Sequence, residues 1–72
     1  MSKIQLGELY KQRRKDLRIT QTDLADLSQV HINTIVQLER GTGNPTLEVL
    51  EKVADVLGLQ LTLQIKNVTI QT

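Results

Sequence analysis

Two short helices separated by only two residues constrain the fold of this chain more than any other feature of its sequence. Thr20 followed by Asp23 is a capping box, which predicts the start of a short helix that ends near Ser28. Residues 29–30 leave room for a tight turn only, and the helical spacing of apolar residues resumes over 31–40. The sequence therefore predicts two short helices that meet at a tight turn.

Further helices are predicted on both sides of this pair. Ser2 begins a capping box, and apolar residues at helical spacing predict a helix over about 3–17. Glycine, asparagine and proline over 41–45 indicate a loop. Thr46 caps a fourth helix, which Gly58 ends. The apolar residues assigned to these helices include Leu6, Leu9, Tyr10 and Leu17 in the first, Leu24, Ala25 and Leu27 in the second, and Leu47, Leu50, Val53, Ala54 and Leu57 in the fourth.

Residues 59–65 alternate strictly between apolar and polar, which predicts a β-strand whose apolar face consists of Leu59, Leu61, Leu63 and Ile65. A strand needs partners for its backbone groups. Residues 68–70 can fold back on it as a hairpin, or it can pair antiparallel with the same strand of a second chain. The hairpin lacks an Asn-Gly or Asp-Gly turn, so pairing between chains is favoured. The expected architecture is mainly α: a bundle of four helices over 1–58, followed by a dimerisation strand and tail over 59–72.

The composition also favours a second chain. A domain of 72 residues has a small core, which often supplies only about 3–5 kcal/mol. The sequence contains no Cys, and His31 is its single His, so neither a disulfide nor a zinc site is expected, and no cofactor is indicated. Oligomerisation remains as a way to stabilise the fold.

Several classes of protein are not expected. No apolar run is long enough to span a membrane, and the first residues do not read as a signal peptide, so a cytoplasmic location is expected. Nucleophile motifs and paired carboxylates are lacking, which argues against an enzyme. The net charge is only +1, although residues 1–18 hold six basic residues against two acidic ones. This cluster is either a surface for an anionic partner or a solvated helix end whose cations complement the helix dipole.

The helix over 31–40 has two different faces. A projection at 100° per residue places Ile35 and Leu38 on the inner face, beside Thr34. Two short helices joined by a turn, with another helix packed behind, form the arrangement that places a helix in a DNA groove. Asn and Gln can pair with adenine there, and Ile or Val can contact a thymine methyl. The residues on the outer face and its flank are Ile32, Asn33, Val36, Gln37 and Arg40. The alternative is that the two amides are ordinary solvated side chains.

For four other residues the sequence allows two alternative roles. Gln21 lies in the first turn of its helix, where backbone N–H groups attract phosphate, or it is a plain first-turn residue. Arg14 and Glu39 either pair and join two helices or remain separate surface charges. His31 either donates to a phosphate or simply begins a helix.

Several separated motifs resemble the Xre/Cro/C1-type helix-turn-helix family over residues 4–58. They are Leu6-Gly7, Arg13-Arg14-Lys15, Ile19-Thr20-Gln21-Thr22-Asp23-Leu24-Ala25, Thr34-Ile35 with Leu38-Glu39-Arg40-Gly41, and Asn44-Pro45-Thr46-Leu47. The resemblance implies a lambda-repressor-like bundle in which Ile32, Asn33 and Gln37 read bases. It also implies that Gln21 contacts phosphate, that Arg14 pairs with Glu39, and that the loop 42–44 approaches the DNA backbone. The full set of expected phosphate contacts is Gln21, His31, Arg40, Thr42 and Asn44, and Val36 joins the base-reading residues.

The sequence departs from the family's pattern at three places. Gln29 stands where the turn usually carries Gly, so a non-glycine residue is expected in a left-handed conformation. His31 stands where Ser or Thr commonly caps the helix, which predicts a weaker or different cap. Ile32 and Val36 replace residues that are often polar, so base readout is expected to depend partly on methyl contacts.

The alternating segment after Gly58 resembles the HipB-type antitoxin branch of this family. That resemblance implies a homodimeric repressor on a palindromic operator in double-stranded DNA, and a HipA-like kinase toxin as a further partner. The alternative is a protein-interaction module that keeps the fold while DNA binding is secondary.

Overall fold

The computed structural model describes residues 1–63, and within this part of the chain the backbone forms four helices. They are α1 (Lys3–Asp16), α2 (Gln21–Ser28), α3 (Ile32–Arg40) and α4 (Leu47–Val56). Their order and approximate bounds are those predicted from the sequence, so the mainly α bundle is confirmed. None of the helices in residues 1–63 has the length and apolar character needed to cross a membrane.

Both predicted capping boxes are formed. The Ser2 hydroxyl accepts from the Gln5 backbone N–H at 3.1 Å, and the Gln5 side chain accepts from the Ser2 N–H at 2.8 Å. Thr20 and Asp23 exchange the equivalent bonds at 3.0 Å each. These bonds satisfy N–H groups that a helix start leaves without a partner, and so they define where α1 and α2 begin.

Two non-glycine residues end helices in the left-handed conformation. Gln29, which follows α2, has φ 58° and ψ 40°, as expected from its position in the turn. Arg18, which follows α1, also has φ 58°. The Arg18 N–H donates to Lys15 O and the Ile19 N–H to Arg14 O, which closes the end of α1. The sequence did not predict the left-handed Arg18.

The core lies where the helices meet and is aliphatic around one tyrosine. Its largest fully buried side chains are Tyr10, Leu24, Ile35, Val53 and Leu57. The Tyr10 hydroxyl donates to Leu50 O at 2.9 Å, and burial raises the pKa of this phenol above its usual 10.0. Helix α3 contacts α1 and α2, and α2 also contacts α4. The inner face of α3 is therefore held from two sides.

Four leucines that the sequence assigned to helices by their apolar spacing are exposed. Leu9, Leu17, Leu27 and Leu47 have 46%, 40%, 62% and 64% of their surface exposed, respectively. Leu47 has the apolar spacing of Val53 and Leu57 on α4 but not their burial. It is the first residue of α4 and is 64% exposed, whereas Val53 and Leu57 near the other end are fully buried.

Helices α1 and α3 cross closely at Gly7. A Cβ atom added to Gly7 would lie 2.8 Å from Glu39 O and closer still to Leu38 O. Because those atoms belong to the backbone of α3, they cannot rotate away as a side chain could. Gly7 therefore sets the distance between α1 and the end of α3.

The chain leaves α4 along the core. Arg13 Nε donates to Leu57 O at 2.8 Å, so α1 satisfies a carbonyl at the end of α4. Beyond it, Leu59 and Leu61 are half-buried against the core of their own chain, whereas Leu63 is fully exposed. No strand is formed within residues 1–63, and the predicted strand over 59–65 and the hairpin partner at 68–70 lie partly or wholly outside the described residues.

Candidate nucleic-acid interface

The outer face of α3 presents polar side chains to solvent. Asn33, Gln37 and Arg40 are exposed, while Val36 and Ile32 are half-buried, and Ile32 packs partly against the core. On the opposite face Ile35 is fully buried and Leu38 is 3% exposed. The predicted division between the inner and outer faces therefore exists, with two amides one helical turn apart on the outer face.

A buried carboxylate joins three helices behind this face. Arg14 Nε and Nη2 donate to Glu39 Oε2 and Oε1 at 2.7 and 3.0 Å, respectively, and Gln21 Nε2 donates to Glu39 Oε1 at 3.2 Å. The Glu39 side chain is 2% exposed and that of Arg14 is 11% exposed. The hydrogen bond to Glu39 raises the pKa of Arg14, with a further contribution from its negative charge, so the guanidinium stays charged. Such a bidentate pair fixes α1, α2 and α3 relative to one another.

The Gln21 side chain is not free in solvent, because it already makes a hydrogen bond inside the domain. Its amide nitrogen is bonded to Glu39, and the side chain is half-buried at the first position of α2. An amide has a carbonyl oxygen and a second N–H besides the hydrogen already used. In this arrangement the Glu39 network orients the Gln21 side chain and leaves one donor for an outside acceptor.

His31 caps α3 through its ring. Its Nδ1 accepts from the Asn33 backbone N–H at 3.1 Å, with His31 in an extended conformation. The cap is therefore different from the Ser or Thr of the family, as the sequence predicted. Because Nδ1 is an acceptor, the donor that this ring presents to solvent is Nε2.

The α3–α4 loop lies beside Gln37. The Thr42 N–H and hydroxyl both donate to Gln37 O, at 2.9 and 3.3 Å. Thr34, Gln37, Thr42 and Asn44 line one open hollow of about 210 Å³. Candidate base-reading and phosphate-contacting residues are thus neighbours here, whereas Arg40 is exposed at the end of α3 and Gln21 lies with Glu39.

Part of the basic cluster near the amino terminus is used inside the domain. Arg14 binds Glu39, and Arg13 binds Leu57 O. Lys3 Nζ donates to Gly43 O and to Asn44 Oδ1, both at 2.6 Å. Sequence reasoning missed the role of Lys3, because nothing local relates it to a loop forty residues away. Three of the six basic side chains that suggested an anionic partner therefore make hydrogen bonds within the domain.

Comparison with known proteins agrees with this geometry. The family model described as helix-turn-helix matches residues 11–64, which include all of α2, α3 and α4. The chain is 36% identical over 56 residues to an immunity repressor protein of Bacillus phage phi105; the match covers 78% of this chain and 39% of that protein. It is also 38% identical over 50 residues to an uncharacterised HTH-type transcriptional regulator of Methanothermobacter thermautotrophicus, where it covers 69% of this chain and 72% of the relative. The chain thus spans about two fifths of the phage protein and nearly three quarters of the archaeal one. Because the family model matches α2 to α4 and α3 has one buried and one exposed face, this chain belongs to the helix-turn-helix family of transcriptional regulators.

Proposed function

We propose that this chain is a sequence-specific repressor that binds double-stranded DNA through the outer face of α3. The observation that carries the proposal is the two-sidedness of that helix. Its inner face is immobilised by Ile35, Leu38 and the Glu39 network, while Asn33 and Gln37 remain exposed. Amides held on a rigid helix are suited to paired hydrogen bonds with adenine in the major groove. The names of the two relatives, a repressor and a transcriptional regulator, support this assignment.

In this proposal, Ile32, Asn33, Val36 and Gln37 contact bases, and Gln21, His31, Arg40, Thr42 and Asn44 contact phosphates. The available Gln21 amide hydrogen and the Thr42–Asn44 loop supply uncharged donors, and His31 presents its Nε2. Arginine is the only strongly basic residue type among these five phosphate contacts, so we expect the affinity to depend less steeply on salt than that of a strongly basic repressor.

We also propose that the repressor acts as a homodimer on a palindromic operator in the cytoplasm. Residues 1–58 form the DNA-binding domain, and residues 59–72 supply the dimer contact. In support, Leu47 and Leu50 of α4 line an open groove of about 490 Å³ with Leu61 and Leu63 of residues 59–63, the exit segment that follows α4. Leu47 and Leu63 are among the most exposed apolar side chains of the described residues, and a second copy would cover them.

The test begins with selection of duplex sites from a random pool by the full chain. We expect a palindrome with half-sites about one helical turn apart. Asn33→Ala and Gln37→Ala should then each weaken binding to the selected site by about 1–3 kcal/mol, without lowering the melting temperature. Glu8→Ala, an exposed substitution on α1, is the control and should bind normally. Unchanged affinity in both α3 variants would show that this face does not read DNA.

A second candidate is a protein-interaction module that keeps the fold, for example to neutralise a toxin, while DNA binding is secondary. The low net charge of +1 and the apolar Ile32 and Val36 on the outer face favour it. It predicts no specific duplex binding at any salt concentration, so site selection separates the two functions. A HipB-like repressor and a toxin-neutralising module would both bind a HipA-like kinase, so a titration against such a kinase, if one is encoded beside the gene, tests the antitoxin role by itself.

A further inference from the structure

The α3–α4 loop is tied to the first turn of α1. Lys3 Nζ donates to Gly43 O and Asn44 Oδ1, both at 2.6 Å. One residue further along α1, Ile4 lies so close to Gly41 that a Cβ atom on Gly41 would be 2.7 Å from Ile4 Cα. The loop therefore rests on α1 through the two hydrogen bonds donated by the Lys3 ammonium group and through the close approach of Gly41 to Ile4.

On its other side, the same loop touches the side chain of Gln37. A Cβ atom added to Gly43 would lie 2.8 Å from Gln37 Oε1 and 3.6 Å from Gln37 Cβ. Gly43 also has φ +73°, a conformation that other residues rarely adopt. The Gln37 amide thus lies over the bare Cα of Gly43, in space that exists because residue 43 has no side chain.

We propose that Lys3 and Gly43 are positioning residues that fix the orientation of the Gln37 amide, so that base preference at Gln37 depends on a lysine that does not itself read a base. This inference rests on the proposed function of α3. Lys3 holds the loop, the loop places Gly43, and Gly43 supports the Gln37 amide. A glutamine held in one orientation loses less conformational freedom when it pairs with adenine than a mobile one does.

The alternative role for Lys3 is a direct phosphate contact, and the two roles differ in measurable ways. Loss of a phosphate contact weakens binding to all sequences equally and reduces the salt slope by about one. Loss of positioning instead reduces discrimination at the base pairs that Gln37 reads. Lys3→Met removes the donor and keeps the length of the side chain, and Gly43→Ala fills the space beneath Gln37 while keeping Lys3. Lys52→Met removes one charge from α4, where Lys52 pairs with Glu48, and is the matched control.

Each variant is measured on the site selected by the wild-type chain and on every single base-pair substitution of that site, at several salt concentrations. The base pairs at which Gln37→Ala no longer distinguishes the selected base from its substitutes are those that Gln37 reads, and they are called the Gln37 step. We expect Lys3→Met and Gly43→Ala to reduce discrimination at that step by about 3- to 10-fold, and Lys52→Met to leave it unchanged. An equal loss at all sites with a shallower salt slope would assign Lys3 to phosphate and overturn the proposal, as would unchanged discrimination in both variants.

A measurement without DNA separates this proposal from the proposed function. The wild-type chain should give nuclear Overhauser contacts between Gly43 Hα and the Gln37 side chain, and Lys3→Met should lose them while its melting temperature stays near that of Lys52→Met. Contacts retained in Lys3→Met would overturn the positioning role even if the chain binds DNA. Failure of the wild-type chain to select any duplex, with these contacts present and lost as expected, would instead overturn the DNA-binding function alone.

Discussion

Gly7 shows how one missing side chain determines the spacing of two helices. Alanine is the better helix former by about 1 kcal/mol, so propensity alone would favour Ala at this position. The carbonyl oxygens of Leu38 and Glu39 lie where the alanine methyl group would be. Packing therefore opposes propensity here.

We predict that Gly7→Ala lowers the free energy of unfolding by about 1–3 kcal/mol, because the methyl group has to push α1 away from α3. Urea denaturation followed by circular dichroism measures this change. Glu8→Ala, at the exposed neighbouring position, is the control and should stay within about 0.5 kcal/mol of wild type. A Gly7→Ala variant as stable as Glu8→Ala would mean that the crossing can widen freely.

Asp23 links the start of α2 to pH. The pKa of the Asp23 carboxyl lies below its ordinary 3.8. The larger cause is the hydrogen bond that it accepts from the Thr20 backbone N–H, and the smaller is a hydrogen bond with the Thr20 side chain. The unfolded chain therefore binds a proton at a higher pH than the folded chain does. The contribution of this carboxylate to stability is present above pH 3.8 and is lost as the pH falls through the lower, folded pKa.

We predict that Asp23→Asn melts at a lower temperature than wild type near neutral pH, and that the difference shrinks as the pH falls below 3.8. Thermal melts over a series of acidic buffers test this trend. Asp26→Asn, an exposed position on the same helix, should show a difference from wild type that changes less with pH. A constant difference for Asp23→Asn at all pH values would contradict the linkage.

Within residues 1–63, α2 is the shortest helix, and like α1 it is followed by a non-glycine residue in the left-handed conformation. Gln29 adopts the left-handed conformation at the position where a glycine avoids the clash between Cβ and the backbone. Its N–H nevertheless donates to Asp26 O, and Val30 N–H donates to Ala25 O. The turn between α2 and α3 is thus well bonded but carries a strained residue.

We predict that Gln29→Gly raises the free energy of unfolding by about 1 kcal/mol, because the left-handed penalty of an L-residue disappears. The matched control is Asp26→Gly, inside the same helix, which should lower it by about 1 kcal/mol. Thermal unfolding of the wild type, Gln29→Gly and Asp26→Gly measures whether each substitution raises or lowers the free energy of unfolding. A destabilised Gln29→Gly would mean that the glutamine side chain makes a contribution larger than the backbone strain.

Helix bounds could be predicted from the sequence because caps are local. The bonds between Ser2 and Gln5 and between Thr20 and Asp23 join residues three apart, and the sequence alone shows such spacing. Burial was harder to predict, because it depends on where neighbouring helices end. Leu47 has the period of a core residue and is nevertheless exposed.

In the candidate interface, too, features set by local sequence could be predicted, and those set by tertiary contacts could not. The inner and outer faces of α3 follow from its periodicity, and the left-handed Gln29 follows from its place in the turn. The Gln21–Glu39 bond and the contacts of Lys3 with the loop depend on tertiary placement across eighteen and forty or more residues, respectively. No local pattern marks such pairs.

At the scale of the whole molecule, the exit segment changes from intrachain packing to exposure within a few residues. Leu59 and Leu61 pack on their own core, and Leu63 is exposed. Removal of everything after Gly58 would therefore damage the domain as well as any dimer. A cut after Leu61 keeps the intrachain contacts.

We predict that truncation after Leu61 converts a dimer into a folded monomer, because it removes residues 62–72 of the proposed contact between subunits and retains the packed Leu59 and Leu61. Sedimentation equilibrium gives the oligomeric state, and circular dichroism checks the helical content. The full chain with Leu27→Ala, which alters an exposed leucine of α2, should remain dimeric. A truncated chain that is still dimeric would place the interface within residues 1–61.

The Glu39 network also limits how this chain can diverge during evolution. Loss of Arg14 alone would leave a buried carboxylate without its charged partner, and such a loss is of the same size as the whole stability of a small domain. Single substitutions at Arg14 or Glu39 are therefore expected to unfold the domain, whereas substitutions at the exposed Asn33 do not carry this loss of stability. Under the proposed function, base preference can change through substitutions on the outer face of α3 while the Glu39 network stays the same.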